Sequence, residues 1–192
     1  MQNGGPMPRF DPVTVREAAL EALARDLPLK ERLDATLDAL ETRYPGLLDR
    51  GQPWIFSNAG GAMIQCKFLY ASLTEYVLLF GTPVGTEGHS GRNWAEFHDT
   101  VLDGEAWYYH EGELQRTVYR AGDAIQVRRF QSAGMHIPDR VWMLEYCRGA
   151  LPTMLPFGLA DSLFSTLDLL TVARTFRMYA SLNWRALTAR RR

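Results

Sequence analysis

Between Gln52 and Arg148 the chain is built of short apolar or alternating runs: WIFSNAGGAMIQCKFLYASL, EYVLLFGT, EAWYYHEG, LQRTVYRAG, AIQVRRF and VWMLEYC. Glycine-centred turns part them. Runs of this length, apolar throughout or apolar at every second residue, read as strands. Glu111-Gly112 and Ala121-Gly122-Asp123 sit where hairpin turns are expected. Several short strands at such spacing predict a small sandwich or barrel rather than alternating β-α-β units.

The flanks change texture. Met1 to Asp11 is Gly/Pro-rich and is expected to be a flexible terminus. Residues 12–50 read as a helical segment divided at Pro28. Leu33, Leu37, Leu40 and Tyr44 share one helical face, and Pro45-Gly46 should end the second helix. Residues 51–150 form the strand-rich body. From 151 to 192 the pattern is helical again: Leu163, Leu167, Leu170, Ala173 and Phe176 recur at helix spacing, and Asp161, Ser165 and Asp168 leave only a narrow polar stripe. So broad an apolar face must cover the barrel, pack on another subunit or rest on a membrane. The ending Arg190-Arg191-Arg192 would suit anionic headgroups, although a short basic tail is usually just solvated.

Composition excludes several classes. The formal net charge of −1 gives no basic field for nucleic acid. Only Lys30 and Lys67 are lysines among 21 basic residues, and the arginine excess is spread along the whole chain as a coding bias would be. Cys66 and Cys147 are too few for a disulfide framework or a zinc site and read as buried thiols. The start has no signal-peptide layout, and no apolar run approaches the roughly 18–20 residues of a membrane span. A cytoplasmic or peripheral-membrane location is the expectation.

Polar residues inside apolar strands carry the chemical information: Glu75-Tyr76, Asp99 and Glu145-Tyr146. A buried carboxylate is costly unless paired, hydrogen-bonded or protonated. In VWMLEYCRG, alternation puts Trp142 and Leu144 on one face and Met143 and Glu145 on the other. Glu145 therefore either forms an ion pair, for instance with Arg148 or Arg92, or faces a pocket in the barrel. From these residues alone the ion pair is the plainer reading. His89, His98, His110 and His136 form no HxH or HExxH pair, and no metal site is expected. Ser72, Ser90 and Ser165 lack a nucleophile elbow, and Gly85 to Gly91 is neither a P-loop nor a dinucleotide fingerprint.

Five motifs in one order shift the balance. NAGG (58–61), ASLTEYVLLFGT (71–82), GHSGRNWAE (88–96), WMLEYCRG (142–149) and LPFGLADSLFSTLDLLT (155–171) closely resemble the sterol C-8 isomerase and type-1 sigma receptor family, over about 130 residues from near Trp54 to near Ala180. The resemblance implies a cupin-like β-barrel with N-terminal helices, closed by two C-terminal helices that cover it or face a membrane. It also implies a homotrimer and an apolar pocket for a sterol or an amine-bearing amphiphile, with no cofactor. Glu145 would accept a ligand's protonated amine, Asp99 would share a proton with it, and Tyr76 would orient it. Phe80, Trp94, Leu155, Phe157 and Tyr179 are expected to line the pocket. Glu75, bonding backbone groups, is expected to be structural near the site, together with His89 and Arg92. Two departures stand out. Met1 to Phe10 is too short and polar for the membrane helix the family carries there. Gly104 to Arg140 matches poorly, so Phe130, Met135 and Ile137 are expected to shape a different pocket wall.

The same resemblance implies a reaction, the shift of a sterol double bond from the 8,9 to the 7,8 position. A carboxylic acid protonates carbon 9, and a base removes a proton from carbon 7. Glu145 and Asp99 are the expected catalytic pair, since two close carboxyls in an apolar site hold one proton near neutral pH. The alternatives are a receptor-like protein that binds lipophilic amines or sterols without turnover, and an oligomeric scaffold working through its C-terminal helices.

Overall fold

Asp11 opens the first helix. Its side chain accepts the Thr14 N–H at 2.9 Å, and Pro12, which has no N–H to leave unpaired, occupies the first helical position. In the computed structural model, which describes residues 8–188, this helix is α1 (Pro12–Leu23), and α2 (Leu29–Arg43) follows Pro28. The expected flexible terminus is partly corrected here. Residues 1–7 lie outside the described residues, but Phe10 is only 2% exposed and packs among Tyr44, Tyr70 and Tyr146. An aromatic ring buried this completely anchors the chain ahead of α1.

Among the described residues nine strands follow: β1 (Ile55–Ala59), β2 (Ala62–Ala71), β3 (Glu75–Thr82), β4 (Thr86–His89), β5 (Ala95–His110), β6 (Thr117–Arg120), β7 (Ala124–Val127), β8 (Ala133–Ile137) and β9 (Val141–Gly149). All pairings are antiparallel, in the order β1-β2-β3-β9-β5-β8-β4, with β6 and β7 both on β5. Gly60 and Gly61, both at positive φ, make the two-residue turn of the β1–β2 hairpin. The tip of that hairpin meets β4: the His89 N–H donates to the Gly60 carbonyl (2.9 Å) and the Met63 N–H to Thr86 Oγ1 (3.1 Å). The result is a near-closed antiparallel barrel flanked by helices at both ends of the chain. Ala121-Gly122-Asp123 is not a hairpin turn. Thr117–Arg120 and Ala124–Val127 run in the same direction along one edge of β5, so these residues are a jog within an interrupted strand.

Strand β3 is buried along its whole length because both of its faces are covered. Tyr76, Leu78 and Phe80 point into the barrel, whereas Val77 and Leu79 point outward into a second cluster with Ala18, Ala19, Leu37 and Leu40 of α1 and α2. Strand β9 does the same, with Met143 and Cys147 inward and Leu144 and Tyr146 outward. The alternation expected for VWMLEYCRG is the one observed.

A short 3-10 turn (Leu151–Met154) leads into α3 (Leu155–Phe164) and α4 (Leu169–Thr188). Leu163, Leu167 and Leu170 do not share one helical face, because the chain breaks between them with Leu167 at φ +52°. Asp168 restarts the helix, accepting the Thr171 N–H (3.0 Å) and hydroxyl (2.6 Å). Among the described residues no helix is long and apolar enough to cross a membrane. Phe164, Leu167, Leu169, Leu170, Phe176 and Trp184 remain exposed on this pair. The triple-arginine ending lies outside the described residues.

Candidate functional site

The barrel encloses an apolar cavity of about 250 Å³, roofed by α3 and α4. Helix α3 is seated on the barrel rim. The Phe157 ring lies so close to Gly60 and Gly91 that a Cβ at either would come within 2.9 and 3.0 Å of it, and Asp161 Oδ2 accepts the Gly61 N–H at 2.9 Å. Helix α4 is tied down by the Tyr179 hydroxyl, which donates to the Ser72 carbonyl (3.0 Å).

Two carboxyls face each other inside. Asp99 of β5 and Glu145 of β9 are directly opposed cross-strand partners, and their side chains hydrogen-bond to each other. Tyr76, one strand further on, donates its hydroxyl to Glu145 Oε1 at 2.6 Å. Burial is the main force on the Asp99 acid and pushes its pKa well above the usual carboxylate range; the charge of Glu145 and the bond to it add to this. Burial also raises Glu145, while the hydrogen bonds from Tyr76 and Asp99 oppose the rise. Burial thus pushes both acids toward the neutral form, and two carboxyls this close titrate as one unit.

The ion-pair reading for Glu145 does not describe this site. The Arg148 Nε–H donates to Glu96, and Arg92 bonds the Phe130 carbonyl (2.7 Å) and Glu111 (2.8 Å). Of the residues expected at the pocket, Phe80, Leu155, Phe157 and Tyr179 line the cavity along with Tyr76, Asp99 and Glu145, and His89, expected only as a structural neighbour of the site, lines it too. Trp94 does not line it: the residue is 59% exposed and meets Phe130 edge-on at 4.9 Å. Arg92 is exposed on the outside. Met135 lines the cavity, whereas Phe130 is half-exposed and Ile137 is packed in the core.

Glu75 answers to the other face of β3. Adjacent strand residues point in opposite directions, so Tyr76 enters the cavity while Glu75 lies outside the barrel wall. There it accepts the backbone N–H groups of Arg9 (2.8 Å) and Phe10 (3.3 Å), with the Tyr146 hydroxyl at 3.2 Å. His98, next to Asp99, also points outward, stacking on Tyr146 and meeting Glu96 at 3.3 Å.

Sequence reading missed Tyr108 and Cys66, both of which line the cavity. Tyr108 was hidden by a bulge. The β5–β9 register shifts between Val101 and Asp103, so Phe97, Asp99 and Val101 face inward before the shift and Ala106 and Tyr108 after it. One extra residue reverses the parity that alternation relies on. Among the described residues no three His, Cys, Asp or Glu side chains gather as a metal-ligand set.

An antiparallel barrel whose interior is an apolar chamber around two facing carboxyls is built to enclose a small molecule rather than to pack solid. The chain belongs to the family described as ERG2 and Sigma1 receptor like protein, whose profile matches residues 6–190. It is 41% identical over 172 residues to the Sigma non-opioid intracellular receptor 1 of Gallus gallus, covering 88% of this chain and 77% of that protein. The receptor of the same name in Danio rerio is 47% identical over 142 residues, 73% of this chain and 64% of its own length. A C-8 sterol isomerase of Pyricularia oryzae is 46% identical over 124 residues, 65% of this chain and 56% of that enzyme. Among solved structures the barrel is similar to an RmlC-like cupin from Shewanella frigidimarina, with 18% identity, 54% of this chain and 90% of that chain covered, and a TM-score of 0.45.

Proposed function

We propose that the chain binds lipophilic amines or sterols inside the barrel, with Glu145 as the anionic partner of a ligand cation and Asp99 as keeper of the shared proton. The observation that carries this reading is the Asp99–Glu145 pair, held by Tyr76 within an otherwise apolar chamber. A carboxylate so poorly solvated gains more from a protonated amine than it would in water. The receptors named above, which match most of this chain, support a binding role. The test is equilibrium binding of a radiolabelled lipophilic amine to the purified protein and to Glu145→Gln. Tight binding by the first and at least a tenfold loss in the second support the proposal; equal affinities sink it.

A second reading, isomerisation of a Δ8 sterol to Δ7, is favoured by the same shared proton and by the likeness to the fungal isomerase. The pair would deliver its proton to carbon 9, its remaining negative charge would stabilise the cation at carbon 8, and the proton lost from carbon 7 would return to the pair. The product is an isomer with no change of oxidation state, so the chemistry asks for no redox cofactor. Incubation with a Δ8 sterol in detergent, followed by mass-spectrometric separation of the two isomers, decides between turnover and binding alone.

The exposed apolar face of α3 and α4 is proposed to rest on a membrane surface, and the trimer implied by the resemblance is kept as a proposal alongside it. Co-sedimentation with anionic vesicles tests the first, and sedimentation equilibrium tests the second.

A further inference from the structure

Tyr108 is a buried phenol, 7% exposed, whose hydroxyl donates to Met135 Sδ at 3.1 Å. A thioether is a weak acceptor, and buried tyrosine hydroxyls ordinarily reach a better one. No described residue donates to the oxygen. Burial first, then the charges of Asp99 and Glu145, push the phenol's pKa well above its usual value, so this hydroxyl sits within the field of the carboxyl pair. The cavity thus offers one poorly used hydrogen-bonding position beyond the carboxyl pair, the hydroxyl of Tyr108.

A ligand made only of hydrocarbon and an ammonium would match Glu145 and leave the Tyr108 hydroxyl with a thioether alone. Leaving a polar group desolvated and unpaired costs binding energy, whereas a ligand oxygen placed there recovers it. We propose that Tyr108 is a specificity-determining residue, selecting lipophilic ligands that carry a hydroxyl or similar oxygen function in addition to any amine. The ligand oxygen accepts from the Tyr108 hydroxyl in place of the Met135 sulfur. This rests on the cavity being the binding site, as proposed above.

The experiment compares N,N-dimethyldodecylamine with a series of analogues in which one hydroxyl is stepped along the chain. Each is titrated calorimetrically against the wild-type protein and Tyr108→Phe. In parallel, a 3β-hydroxysterol and its 3-deoxy counterpart serve as a neutral pair. In the wild type, one hydroxyl position should bind about three- to tenfold tighter than the parent amine. In Tyr108→Phe that ratio should fall to about one. Met135→Leu, which removes the competing sulfur, should keep or enlarge the ratio, and it supplies the reading if the phenylalanine variant does not fold. A hydroxyl advantage that survives in Tyr108→Phe, or no advantage at any position, overturns the proposal. Should no amine bind the wild type, the Glu145–ammonium reading fails by itself, and the neutral pair judges Tyr108 by the same ratio.

Discussion

Glu75 and Tyr76 are neighbours in sequence with unrelated tasks, and the difference is measurable. Glu75→Ala would strip two backbone N–H groups and the Tyr146 hydroxyl of a buried acceptor. The expected loss is about 2–4 kcal/mol in urea unfolding, with ligand affinity per folded molecule unchanged. A stable variant with lost affinity would reverse the assignment. Asp99 gives a pH signature. Its pKa is raised on folding, so above the ordinary aspartate value the folded chain holds a proton that the unfolded chain has released. Stability from this group is therefore lost as pH climbs toward the folded value. Asp99→Asn keeps a donor for Glu145 and does not titrate. The Tm of the variant relative to wild type should shift in the variant's favour as pH is raised from about 5 to about 9. A gap that stays constant over that range would contradict a protonated Asp99.

At the scale of elements, the α3–α4 junction carries local strain. Leu167 is 70% exposed and sits at φ +52°, a conformation that costs a side-chain-bearing residue about 1–2 kcal/mol. Leu167→Gly should therefore raise stability by about 1 kcal/mol, read as a Tm increase of roughly 2–4 °C. A decrease would mean that the exposed side chain is covered by something in solution, and vesicle binding by the two proteins would show whether that cover is a membrane. Strand β5 shows the other behaviour of a single element. Its bulge lets one strand place Asp99, Ala106 and Tyr108 on the same inner wall while Leu102 packs against the helical layer.

For the whole molecule, barrel and ligand should stabilise one another, because the cavity walls come from β-strands and from both C-terminal helices. A lipophilic amine present at about 100 times its Kd should add about 2.7 kcal/mol. For a chain of this size that corresponds to a Tm shift of roughly 5–10 °C. Glu145→Gln should abolish most of it; an undiminished shift would place the amine somewhere other than the carboxyl pair.

Much of this architecture is written in short-range pattern. Period-two alternation put Glu145 and Met143 on the same face of β9, Pro28 and Pro45-Gly46 bounded the second helix, and the ordered motifs identified the family, because each of these depends only on residues close in the chain. Tertiary structure decided the rest. It chose which of two adjacent polar residues, Glu75 or Tyr76, faces the cavity, and it turned Trp94 outward onto Phe130. It engaged Arg148 and Arg92 elsewhere, and it brought Tyr108 to the wall through a bulge that no local periodicity records. These outcomes depend on strand register and on what packs against each face, and both are set by contacts between residues tens of positions apart.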